Sequence, residues 1–152
     1  MHRFILLILL LAPVTSMANE AFTFATCQKT VTEKTLSHLA ELGFAEQDTV
    51  EGLVLHGPIT VEGVCISEVH VAAAPGALMF TGRICSTKLE RLLKLFPVEP
   101  TSYPGAHQPG VIAASGSPGR LMMIYRGQPG FSPKPDPRSN EISYQCGYSI
   151  GE

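Results

Sequence analysis

The chain opens with an unbroken apolar run, Phe4 to Ala12, behind the positive start Met1-His-Arg, and Pro13 ends it. Ser16-Met17-Ala18 then puts small residues at the two positions a signal peptidase reads. Residues 1–18 are therefore predicted to be a secretory signal peptide, and residues 19–152 a single domain. The apolar run is too short to cross a bilayer, and no later stretch approaches the ~20 apolar residues a spanning helix needs, so no membrane span is expected.

Beyond residue 18 the apolar period alternates between helical and strand-like. Residues 19–26 are expected to be an extended lead-in. Thr30-Val-Thr-Glu33 reads as a capping box, in which a threonine oxygen and a glutamate each satisfy one orphan N–H at a helix start. Leu36, Leu39 and Ala40 follow on one helical face, and Gly43 supplies the left-handed residue that closes the helix before Phe44 folds back. Leu53–His56 reads as a strand, and Ile59–Val61 as another strand or the extension of a turn. Val64–Ala73 is a long strand whose apolar parity slips near Ser67-Glu68, which a bulge would explain. Pro75-Gly76 turns the chain, and Leu78–Cys85 returns as its hairpin partner, with Phe80 expected across from His70. Thr87 or Ser86 can cap a second helix, in which Leu89, Leu92, Leu93 and Phe96 form a buried stripe ended by Pro97.

Residues 97–119 and 127–139 read as two long loops rich in Pro and Gly, with an apolar island at Val111–Ala114 and a turn at Ser115–Gly119. Leu121–Arg126 is a strand between them. In the last strand, Ile142, Tyr144, Cys146, Tyr148 and Ile150 alternate with Ser143, Gln145, Gly147 and Ser149, predicting one buried and one wet face. The fold class expected from this order is α+β: two helices packed on a mostly antiparallel sheet, in a small disulfide-braced domain.

Removing 18 residues from 152 leaves 134, enough to bury a core without help from cross-links. All four cysteines, Cys27, Cys65, Cys85 and Cys146, lie beyond the leader and would meet an oxidising compartment. With a three-residue hairpin loop at Ala74-Pro75-Gly76, Cys65 falls directly across from Cys85, and Cys27 is left to pair with Cys146. There is no Cys-x-x-Cys, so a zinc or redox pair is not indicated.

The formal charge of −2 argues against nucleic-acid binding. Acids dominate residues 19–68, whereas residues 83–138 hold Arg83, Lys88, Arg91, Lys94, Arg120, Arg126, Lys134 and Arg138 against three acids. The later segment can present a positive face, or the two halves can neutralise each other.

No reaction-specific constellation is present. Ser115 and Ser117 near His107 lack the Gly-x-Ser-x-Gly elbow of a hydrolase, and turn serines commonly serve local hydrogen bonding. His56, Glu68 and His70 are the candidate metal set, since two imidazoles and a carboxylate suit zinc or copper, although a strand histidine more often simply packs. No cofactor is expected. Tyr103, His107, Ser115, Arg120, Arg126, Phe131 and Arg138 lie in or beside the long loops and are the candidate partner-binding residues, because Tyr and Arg are enriched at binding hot spots.

Ala114-Ser115-Gly116-Ser117 distantly resembles the Ser-Gly loop with which periplasmic lysozyme inhibitors plug a lysozyme cleft. Pro118, Gly119 and Arg120 follow where those families place a tyrosine, so the likeness covers a few residues of a common turn type. The expectation is a periplasmic or secreted, non-enzymatic binding protein, such as an inhibitor or immunity protein that occludes an envelope hydrolase or a toxin. The alternatives are a small-molecule or metal binder, or an accessory subunit of an envelope assembly.

Overall fold

The computed structural model describes residues 14–47, 50–85, 87–96 and 107–150. Over these residues the chain forms α1 (Val14–Ala25), α2 (Thr35–Glu41), β1 (Phe44–Gln47), β2 (Val50–Leu55), β3 (Ile59–Val61), β4 (Val64–Ala74), β5 (Ala77–Ile84), α3 (Leu89–Leu95), β6 (Val111–Ser117), β7 (Arg120–Arg126) and β8 (Ile142–Ser149). The strands make one antiparallel sheet in the order β1-β2-β4-β5-β8-β7-β6, with β3 paired to β4 beside that path. The α+β class holds, but the sheet dominates: its eight strands carry three short helices, not two principal ones. No helix among the described residues is long and apolar enough to cross a membrane.

Residues 1–13 of the expected signal peptide lie outside the described residues, and residues 14–18 open α1. The stretch 19–26 is not an extended lead-in: residues 19–25 complete α1. Ala18, Ala21, Phe22 and Ala25 recur at helical spacing, and Phe22 is fully buried. The capping box does not form. Lys34 precedes the first turn of α2 without a side-chain cap, while Thr32 and Thr35 exchange hydrogen bonds two residues later than expected. Gly43 does end this helix, at φ 96°. At α3, Ser86 lies outside the described residues and Thr87 is not a cap; its hydroxyl accepts the Cys65 N–H at 3.3 Å. The expected α3 stripe is partial, since Leu92 and Phe96 are buried but Leu89 is exposed.

All three helices lie on one face of the sheet. Phe22, Leu39, Leu92 and Phe96 from or beside them join Phe44, Val71, Phe80, Tyr144, Cys146, Tyr148 and Ile124 in the main core. Two edge-to-face aromatic chains run through it: Phe22–Phe96–Tyr144 and Phe44–Phe80–Tyr148, with centroid separations of 5.5 to 6.3 Å. The Tyr148 hydroxyl donates to the Phe24 carbonyl at 2.7 Å, and the Cys27–Cys146 disulfide, Cα–Cα 5.6 Å, fastens the end of α1 to β8.

The β4–β5 hairpin shows how register is set. The turn has two residues, Pro75-Gly76, so Ala74 faces Ala77 and Val71 faces Phe80, and the expected His70–Phe80 pairing becomes His70–Thr81. The predicted bulge is present: Glu68, at φ 53°, and Val69 lie across from Gly82. It shifts the register by one, so Ile66 faces Ile84, and the Cys65–Cys85 disulfide closes at Cα–Cα 5.1 Å. Both expected cysteine pairings are thus the ones formed.

The apolar island at Val111–Ala114 belongs to a strand, β6, and Ser115 lies within it rather than in a turn; the turn is Pro118-Gly119 alone. Of the expected wet face of β8, Ser149 is exposed and Gly147 half-buried, but the half nearer the strand's start is covered. Ser143 is fully buried and Gln145 is 5% exposed, because the 127–139 segment folds across them.

Candidate functional site

Thr81, Ser143 and Gln145 stand on adjacent strands on the sheet face opposite the helices. Each holds the backbone of the Pro-rich segment. The Thr81 hydroxyl accepts the Gly130 N–H at 3.0 Å while donating to the Tyr144 carbonyl. The Ser143 hydroxyl donates to the Gly127 carbonyl at 2.7 Å, and Gln145 Nε2 donates to the Phe131 carbonyl at 2.9 Å. At its ends, the Gly127 N–H donates to Glu141 and the Asp136 N–H to Arg126. Four prolines at 129, 133, 135 and 137 further limit the freedom of this stretch. Beneath lies a second small cluster, Ala114, Met123 and Tyr125, with Val111 against it. The Tyr125 hydroxyl donates to the Gln128 carbonyl, and burial raises its pKa. Burial also pushes the Tyr144 and Tyr148 hydroxyls well above their ordinary range.

An ionic cluster lies beside the covered face. Arg83 reaches Glu68 at 3.3 Å and Glu141 at 3.5 Å, and donates to Gln128, which also pairs with Glu141. A separate exposed cluster joins α1 to α2, where Glu20 meets Lys29 and His38, and His38 meets Glu41. Hydrogen bonds from Lys29 and His38 lower the Glu20 pKa, and those to Glu41 and Glu20 raise that of His38.

The candidate partner-binding residues do not form one patch. Tyr103 lies outside the described residues. Ser115 and Arg120 belong to the tip half of the β6–β7 hairpin, where residues 116–120 are all exposed. Arg120 is also a structural donor, to the Cys27 carbonyl at 3.1 Å. Arg126 stands at the other end of β7, half-buried, and donates to the Ser139 carbonyl. Arg138 is exposed beside it. His107 is exposed just ahead of Gly110, whose backbone passes tightly against Pro135 and Asp136. Phe131 is half-buried on the Pro-rich segment. Arg120 and Arg126 therefore mark the two ends of β7, about 20 Å apart at ~3.3 Å per strand residue, while Phe131 lies over the middle of β8.

His56, Glu68 and His70 do line one open pocket of about 350 Å³, with Gln47, Val54 and Ser67. Glu68 is engaged by Arg83, and Gln47 contacts the His56 ring. Among the described residues no group of three or more His, Cys, Asp or Glu side chains is placed to hold a metal ion, so the three do not converge as a ligand set.

Sequence reasoning missed β6 and the three polar residues that hold the loop. Thr81, Ser143 and Gln145 occupy alternate strand positions that ordinarily face water; the nearby proline-rich segment was the signal that something would cover them. Compared with family models, curated proteins and solved structures, the chain matches none of them.

Proposed function

We propose that this is an exported, non-enzymatic binding protein that acts by occluding another protein, in the manner of an inhibitor or immunity protein directed at an envelope hydrolase or toxin. The observation that supports it is the fastening of residues 127–139 to the sheet by Thr81, Ser143 and Gln145. A long segment without secondary structure of its own is held in one shape before any partner arrives, which reduces the ordering cost of binding. The hairpin tip, residues 116–120, and the strap residues Lys134 and Arg138 are exposed and open to a partner. Two disulfides suit an oxidising compartment.

The test is capture from envelope extract with the oxidised protein lacking residues 1–18 as bait. One stoichiometric hydrolase or toxin whose activity falls on binding supports the reading. Arg138→Ala should weaken that complex without loosening the fold, since no side-chain bond of Arg138 is present among the described residues. A captured partner whose activity is unchanged would instead favour an accessory role.

The pocket shared by His56, Glu68 and His70 favours a second reading, binding of a small polar ligand there. A rise in melting temperature with one member of a small-molecule panel, abolished by His70→Ala, would support it.

A further inference from the structure

Outside the expected leader, two large apolar side chains are exposed among the described residues: Leu36, 36% exposed on α2, and Leu89, 38% exposed at the start of α3. Their surroundings are opposite in charge. Leu36 and Ala40 line one side of an open groove of about 580 Å³, Leu53, Val71 and Ala73 line its floor, and Glu46 borders it. Every residue lining this groove comes from Thr35–Gly82, a stretch of 48 residues that holds six acids and neither lysine nor arginine. Leu89 stands on a helix whose exposed charges are Lys88, Arg91 and Lys94 against Glu90 alone. Among the described residues, neither Glu46 nor any of these α3 charges is held in an ion pair.

The two patches cannot meet within one chain. The groove lies against Val71, whereas α3 sits at the other end of β4, where Arg91 lies over Gly63. Those points are eight residues apart in sequence, roughly 25 Å of extended chain. Both patches are on the helix side of the sheet. Two copies set with their helix sides together and their β4 strands running in opposite directions therefore bring each groove onto the other copy's α3. A two-fold axis makes that contact twice.

We propose that the protein self-associates as a two-fold dimer in which Leu89 of each copy enters the groove beside Leu36 of the other, with Lys88 set against Glu46. Covering the exposed leucines supplies the attraction, and the opposite charges fix which patch meets which. The strap and the β6–β7 hairpin take no part, so they stay open to another protein, and this inference stands apart from the reading above.

Sedimentation equilibrium of the same oxidised protein that serves as bait, from about 1 µM to about 1 mM, tests it. The mass is expected to rise from monomer to dimer across that range, and to rise less as salt increases. Leu36→Glu, Glu46→Lys and Lys88→Glu, each shown to be folded by a thermal melt, should each weaken the dimer about tenfold, because every substitution acts at two contacts. An equimolar mixture of the Glu46→Lys and Lys88→Glu proteins should recover the association of the unsubstituted protein, since both contacts of the mixed dimer again join opposite charges. A monomer throughout the range, growth beyond the dimer, a dimer that all three substitutions leave unchanged, or a mixture no more associated than its components would each overturn the proposal.

Discussion

The two faces of the sheet are covered by different means. On one, three helices seal an apolar core with two aromatic chains and the Cys27–Cys146 disulfide. On the other, a proline-rich strap is held by single hydrogen bonds from Thr81, Ser143 and Gln145 over a cluster of only three buried apolar residues. Burial of large side chains contributes roughly 1.5–3 kcal/mol each, whereas a hydrogen bond nets about 1 kcal/mol. The helix face should therefore carry global stability, and the strap face should open locally without unfolding the rest.

The sharpest break of this comparison is removal of the Cys27–Cys146 bridge by Cys27→Ser with Cys146→Ser. It spans 119 residues, and the chain-entropy model puts the loss at up to about 5 kcal/mol, read as a lowered urea midpoint. The same change at Cys65 and Cys85, 20 residues apart, should cost about 3 kcal/mol. Next comes Phe80→Ala on the helix face, expected to cost about 3–5 kcal/mol in the same denaturation experiment.

Thr81→Val tests the other face. It leaves the Gly130 N–H without its acceptor and should cost about 1–3 kcal/mol, with faster amide exchange and proteolysis confined to 127–139. Global unfolding on the scale of Phe80→Ala would refute the division of labour. Tyr144→Phe should lose nothing or gain about 1 kcal/mol, because the buried Tyr144 hydroxyl has no partner among the described residues.

The smallest expected effect is that of pH on the exposed clasp between α1 and α2. The raised His38 pKa adds stability that is complete below the unfolded histidine value near ~6.5 and is lost as pH rises through the folded one. The lowered Glu20 pKa adds stability present above the ordinary carboxylate range and lost as pH falls through its folded value. The clasp should thus be tightest between these two limits. His38→Ala should flatten the slope of melting temperature on the alkaline side, and an unchanged slope would remove His38 from the account.

Most of this division was legible in local pattern. Alternation placed β4, β5, β7 and β8, and the parity slip at Ser67-Glu68 marked a bulge that formed; the Cys65–Cys85 pairing came out as expected although its premise of a three-residue turn did not hold, because the two-residue turn and the bulge each shift the register by one and cancel. What local pattern did not carry was coverage of the second face. Alternation along β8 says that Ser143 and Gln145 point away from Tyr144 and Cys146, but not whether water or another segment meets them. α1 was hidden for a related reason: its stripe begins at Ala18, at the boundary expected for a cleaved leader, so its period was split in two. The candidate site fared least well, because loop position in sequence does not reveal that Arg120 and Arg126 stand at opposite ends of one strand.

The β4–β5 hairpin also behaves like a parity check on its own assembly. Without the extra residue at Glu68, the two-residue turn would bring Cys85 opposite Ile66, and Cys65 would point to the other face of the sheet. With the two-residue turn, only the bulged register lets the two sulfurs meet. Oxidation of this pair therefore certifies an alignment already reached: a chain folded one residue out of step keeps its thiols and can be told apart by them.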